Sequence, residues 1–219
     1  IKYNHERPKL RDRILANTDF MGNIATRVAP LVNLTLALQP VKLALDGVLA
    51  IDYRRSFPTY ATRTFERWYK EELTAASQEA FPRHVSYFHG CYVNYNYPQL
   101  GKDLVKILNA IGYGVHLLDD EHCCGVALIS NGLIDKARRQ GTKNIASIRR
   151  SIEEEDRTVL ATSSTCAFTL RDEYPHLLGI PNTDVRDRIE LASRFLYRLI
   201  EEQQIELVFK PGYQKKVAY

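Results

Sequence analysis

The sequence predicts an α/β protein, an open parallel sheet with flanking helices, preceded by an α-helical amino-terminal segment. Three observations carry that expectation. From His84 onward, short β-rich apolar runs alternate with stretches of helical periodicity; glycines and prolines punctuate them; and residues 1–83 show only helical pattern. The boundary is therefore drawn between 83 and 84, with a helical docking segment before it and an α/β domain over 84–219. At 219 residues, 45% hydrophobic and 26% charged, the chain has the composition and apolar mass of a globular protein.

In the amino-terminal third, residues 24–51 are rich in Leu, Val and Ala but are interrupted by Pro30 and Pro40. The longest uncharged run, 28–41, has 14 residues, against the roughly 20 that a spanning helix needs. Proline removes a helical donor and disfavours helix in the residue before it, so two or three short surface helices are expected. In the second part, residues 85–88 read as a strand ended by Gly90. Leu100, Leu104, Ile107, Leu108 and Ile111 follow at helical spacing, with Gly112 and Gly114 as left-handed caps. Residues 115–118 read as a second strand. A long helical region over 129–152 follows, with Gly141 as a break, and then a third strand at 158–161. A third helix starts at Thr165 and stops before Pro175, and a last one covers 184–203, with Asp184 and Asp187 resembling a capping box. Strand and helix alternating at these spacings imply right-handed crossovers and a parallel sheet.

Net charge is +4, from 30 basic and 26 acidic side chains, which argues against a dedicated nucleic-acid surface. The excess lies in residues 1–83, with 13 basic and 9 acidic; residues 84–219 carry 17 of each. Arg54, Arg55, Arg63, Arg67 and Lys70 have only Glu66 among them and alternate with Phe57, Tyr60, Phe65, Trp68 and Tyr69. That pattern suits a membrane surface or an acidic partner, with Trp68 and Tyr69 at headgroup depth, and equally a solvated basic face with aromatics packed beneath. The first residue is Ile1 and the only methionine is Met21, so the chain is expected to be a piece of a longer one.

All four cysteines fall just beyond the carboxyl end of a predicted strand: Cys91 after the first, Cys123 and Cys124 after the second, Cys166 after the third. In an open parallel sheet those loops share one edge, where ligands bind. Four converging thiols suit a metal. The bland alternative is four cysteines acting as small apolar residues, which explains an adjacent pair in a strand-end loop poorly. Few cysteines and no secretory pattern point to a reducing compartment and away from disulfides. Zinc commonly uses Cys-x-x-Cys knuckles, absent here, whereas iron–sulfur clusters tolerate more varied spacing; both stay open. His89 and His122 flank the cysteines as ligands or as donors behind them. Gly112-Tyr113-Gly114 ends a helix where a dinucleotide fingerprint would open one. Ser163, Ser164 and Thr165 have a cheaper role as a helix cap than as a phosphate site or as activators of a nucleophilic Cys166.

Gly90-Cys91-Tyr92, Cys123-Cys124-Gly125 and Ser163-Ser164-Thr165-Cys166 resemble the cysteine-rich CCG domain of heterodisulfide reductases and related iron–sulfur subunits. Phe88 to Asn96, Pro98 to Asp103, Phe65-Glu66-Arg67-Trp68-Tyr69 and Ala161 to Cys166 are similar to the C subunits of anaerobic glycerol-3-phosphate dehydrogenases. The resemblance implies a non-catalytic electron-transfer subunit. Its candidate ligands are Cys91, Cys123, Cys124 and Cys166, and its cofactor an iron–sulfur cluster, 4Fe-4S in the full-length subunit, with zinc as the alternative. It also implies catalytic flavoprotein subunits and a membrane quinone as partners, and a peripheral place on the cytoplasmic side of the bacterial inner membrane. The ferredoxin-like region and second CCG domain of such subunits are absent from these residues. The full CCG pattern closes on Cys-x-x-Cys, where this chain has Cys166 and Thr169.

Overall fold

A computed structural model describes residues 8–205. The described residues begin with four helices: α1 (Leu10–Ala16), α2 (Thr18–Arg27), α3 (Ala29–Ala37) and α4 (Gln39–Leu49). Pro30 and Pro40 lie in the first turns of α3 and α4, where the missing N–H costs no hydrogen bond. Then come α5 (Phe65–Glu72) and α6 (Ala75–Glu79), capped by Thr64 and Thr74. The α/β part runs β1 (Arg83–Phe88), α7 (Gly90–Tyr95), α8 (Pro98–Ala110), β2 (Tyr113–Leu117), α9 (Val126–Ser130), α10 (Ile134–Glu153), β3 (Thr158–Ala161) and α11 (Ser164–Phe168). Among the described residues it continues with a π-helix (Thr169–Leu178), a 3₁₀ turn (Arg186–Arg188), β4 (Ile189–Leu191) and α12 (Ala192–Glu201).

The sheet is wholly parallel in the order β2-β1-β3-β4, as the α/β reading expects. Side-chain alternation divides the interior into two layers. Phe88, Val159 and Ala161 face a core with Ile145, Ile148, Leu170 and Tyr174, while Val85, Tyr87 and Leu160 face another with Phe65, Leu108, Val115 and Phe195. The chain leaves β1 toward β2, then returns past β1 to β3. The carboxyl ends of β1 and β3 therefore flank a topological switch point, the place where open α/β sheets form crevices. On the free edge of β2, Val115 N–H donates to Gln78 Oε1 (2.9 Å), and the Tyr69 hydroxyl donates to Val115 O (2.5 Å).

Several sequence expectations are corrected. A fourth strand, β4, occupies residues read as helix, because Ile189 to Leu191 find the open edge of β3 while Ala192, Leu196 and Leu199 continue the same apolar spacing. Asp184 caps nothing there and instead pairs with Arg149. Pro175 does not stop its helix: the wider π turn accommodates a residue without an N–H, and Gly179, at φ +65°, ends it. Gly141 is no break either, since α10 runs through it and its bare Cα lets Tyr174 and Ile180 approach; the break falls at residues 131–133. Of the two expected caps only Gly112 is left-handed, while Gly114 lies inside β2.

The basic stretch is less bare than its sequence. Asp52 binds Arg54, Glu71 and Glu72 bind Arg63, Glu71 also binds Arg67, and Glu66 binds Lys70. Trp68 and Tyr69 are partly buried against the second core. The solvated-face reading is the one these contacts favour.

One titration follows from the sheet. His116 on β2 is buried beside His84, Glu79 and Arg157; desolvation, helped by the Arg157 charge and opposed by Glu79, pulls its pKa down to about 4. The unfolded chain therefore takes this proton first, so the contribution is complete above about pH 6.5 and is lost as pH falls through about 4. Urea unfolding at pH 7 and pH 4 should show a loss of about 2–3 kcal/mol from this group. His116→Gln should flatten that part of the profile.

Candidate metal centre

Each cysteine is placed by a strand end. Gly90 follows β1 at φ +70°, a conformation that starts α7 and turns Cys91 inward; a Cβ on Gly90 would lie 3.4 Å from Cys166 Sγ, so the first and third loops touch. After β2, Cys123 and Cys124 are 6% and 2% exposed, and Gly125, at φ +84°, reverses the chain into α9. Cys166 sits in the first turn of α11, where its N–H donates to the Ser163 hydroxyl (3.3 Å), so Ser163 is the helix cap.

The four sulfurs come together in a chain. Cys91 Sγ and Cys123 Sγ are 3.5 Å apart, and the Cys124 thiol interacts electrostatically with both Cys123 and Cys166. Contacts from the Cys124 and Cys91 thiols hold Cys123 well below the ordinary thiol range, and Cys124 does the same for Cys166. The partners move the other way: interaction with Cys123, joined for Cys124 by Cys166, and then burial push Cys91 and Cys124 up. A soft, all-sulfur donor set with two acidic members fits thiolate-seeking metals, both iron–sulfur clusters and zinc.

The loop that carries the adjacent pair is held by groups the sequence reading did not single out. Asn144, fully buried on α10, accepts from His122 N–H (2.8 Å) and donates to His122 O (3.1 Å). The Tyr174 hydroxyl donates to Cys124 O (2.9 Å). From α2, Thr18 Oγ1 donates to Cys123 Sγ (3.2 Å), and Asp19 accepts from Cys123 N–H (2.7 Å). Burial, reinforced by Cys123, raises the Asp19 pKa to about 6. Glu121 accepts from the N–H groups of Gly90 (2.8 Å) and His89 (3.2 Å), and desolvation raises its pKa to about 7. His89 faces Glu121 (3.2 Å) and the Phe65 ring, while His122 faces Asp120 (3.1 Å) and Lys143 (3.3 Å). Thr169 is fully buried and donates to Glu173 (2.6 Å). A cleft of about 340 Å³, lined by Asp19, His89, Cys91, Tyr95, Glu121 and Cys123, opens beside the sulfurs.

Cysteines gathered from three successive strand ends, two of them adjacent and followed by glycine, define a cysteine-rich site, and residues 85–171 match the family of the CCG cysteine-rich domain. The chain is 52% identical over 201 residues to the C subunit of the anaerobic glycerol-3-phosphate dehydrogenase of Escherichia coli, a match covering 92% of this chain and 50% of that protein. It is 32% identical over 91 residues to the B subunit of the fumarate reductase (CoM/CoB) of Methanothermobacter marburgensis, covering 42% of this chain and 18% of the relative. Over 139 residues it is 27% identical to the D subunit of the dihydromethanophenazine:CoB–CoM heterodisulfide reductase of Methanosarcina mazei, covering 62% and 32%. No solved structure matches the chain. The resemblance read from the sequence therefore holds, and the chain spans about half the length of the Escherichia coli relative.

Proposed function

We propose that this chain belongs to an electron-transfer subunit, itself non-catalytic, in which Cys91, Cys123, Cys124 and Cys166 hold one iron–sulfur centre. It would accept electrons from flavoprotein subunits that oxidise glycerol 3-phosphate and pass them toward a membrane quinone. The observation that carries the reading is the meeting of four sulfurs at the switch point of the sheet. The similarity to the Escherichia coli protein supports the choice of complex. In this reading the protein supplies thiolates, a sulfur-directed hydrogen bond from Thr18 and burial of Cys123 and Cys124, the levers by which a protein sets a cluster's potential. Redox titration of anaerobically purified protein tests it: reversible bleaching of visible absorbance supports the proposal, and a colourless, redox-silent metal defeats it.

The second reading, a structural docking domain with zinc at the same cysteines, draws on one distance. A tetrahedral zinc with Zn–S bonds of about 2.3 Å separates neighbouring sulfurs by about 3.8 Å, close to the 3.5 Å between Cys91 and Cys123.

Membrane attachment on the cytoplasmic side belongs to the same proposal. Phe20, Leu31, Leu34 and Val48 on α2 to α4 are 61–78% exposed. No single helix among the described residues is long and apolar enough to cross a bilayer, and α3 and α4 are bent by 81° at their junction. Short apolar helices of this kind lie in the interface plane. Because the nearby arginines are largely ion-paired, vesicle co-sedimentation should depend more on these apolar side chains than on salt. Leu31→Glu with Leu34→Glu should release the protein from vesicles; failure of the parent protein to sediment would assign the face to a partner protein of the complex.

A further inference from the structure

A second cluster of metal-ligating side chains lies away from the cysteines. His84 enters at the amino-terminal end of β1, whereas Cys91 follows its carboxyl end. In the parallel register His84 pairs with Gly114 and His116 with Ser86, so both imidazoles stand on one face of neighbouring strands. Glu79, the last residue of α6, reaches the same face. We propose that Glu79, His84 and His116 form a binding site for a divalent transition-metal ion such as zinc, separate from the cysteine centre.

One donor atom from each of the three residues can be chosen so that all lie within 4.8 Å of one another. The rings meet through His84 Nδ1 and His116 Nε2 (3.1 Å), while Glu79 approaches the other nitrogen of each, His116 Nδ1 at 3.6 Å and His84 Nε2 at 4.0 Å. Tetrahedral zinc with bonds of about 2.0–2.1 Å sets neighbouring donors about 3.3 Å apart, so side-chain rotation has to draw one nitrogen of each ring and a Glu79 oxygen in from separations of up to 4.8 Å. Gly114 makes the space: a Cβ there would fall 3.0 Å from His84 Nδ1 and 2.2 Å from the Gln78 carbonyl oxygen. Two imidazoles and one carboxylate are a donor set for borderline-soft divalent ions.

Arg157 is the cation now beside Glu79 (3.0 Å), and it is also bound to Glu155 (2.6 Å). A divalent ion at Glu79 displaces Arg157 onto a carboxylate that already holds it. Glu79 and His116 line a cavity of about 530 Å³, together with Ser86, Ser147 and Ser151, which leaves a fourth coordination position open to water or to a small ligand.

Cobalt(II) titration of the full chain, read by visible absorption, separates this site from the cysteines. Nitrogen and oxygen donors give d–d bands without the thiolate-to-cobalt charge transfer that sulfur ligands produce. One equivalent of thiolate-free cobalt is expected. His84→Gln and Glu79→Gln should each weaken it at least about tenfold and leave the thiolate band unchanged. Glu79 is exposed and His84 only half-buried, so both variants should keep the fold. Absence of thiolate-free cobalt binding, or binding untouched by both substitutions, would overturn the site.

Discussion

Replacing Cys123 by serine is expected to cut iron bound to anaerobically purified protein by at least about tenfold, because a serine oxygen is a hard and far less acidic donor than the thiol it replaces. The effect should exceed that of any other cysteine. Cys123 is the junction of the sulfur chain, touched by Cys91 and Cys124 and by the Thr18 hydroxyl, and its thiol is held well below the ordinary range. Iron and acid-labile sulfide per chain measure the loss, and thermal unfolding checks that the loop survives, as it should with Asn144 and Tyr174 still holding its backbone. Iron unchanged in Cys123→Ser would remove this residue from the ligand set.

Phe65→Ala should give the largest loss of stability, about 3–5 kcal/mol, through lost apolar transfer and the cavity left behind. Phe65 is fully buried at the first turn of α5, and its ring meets Trp68, Tyr69, Tyr87 and His89 at centroid distances of 5.4–6.3 Å. On its other side Gly101 is so close that a Cβ would fall 2.7 Å from the ring, which leaves neighbours little scope to collapse inward. The ring joins the amino-terminal helices to the sheet and backs the loop that presents Cys91. Urea unfolding of Phe65→Ala gives the magnitude, and a loss below about 1 kcal/mol would show that α5 is only loosely attached.

The parallel sheet was legible because strands buried on both faces read as short apolar runs, and the cysteine convergence was legible because parallel topology turns three sequence positions into one edge. β4 was hidden: three residues are too few to show a period, and Glu190 at their centre is held by Arg194 and Arg198 of α12. Pro175 misled because the rule it obeys is for α-helices, and the π turn relaxes it. Around the sulfurs, Glu121 could have been noticed two residues before the cysteine pair. Thr18 and Asp19 could not, since more than a hundred residues separate them from Cys123 and no local pattern links a helix start to a distant thiol. The charge pattern left two readings level for a similar reason: Asp52, Glu71 and Glu72 lie outside the basic interval in sequence and inside it in space.

The most direct test of the metal centre is X-ray absorption at the edge of whichever metal accompanies the anaerobically purified chain. The four-thiolate account requires a first shell of sulfur at about 2.3 Å, with iron neighbours beyond it for a cluster and none for zinc. A shell of nitrogen and oxygen alone, or a metal-free protein whose four thiols are all open to alkylation, would contradict it.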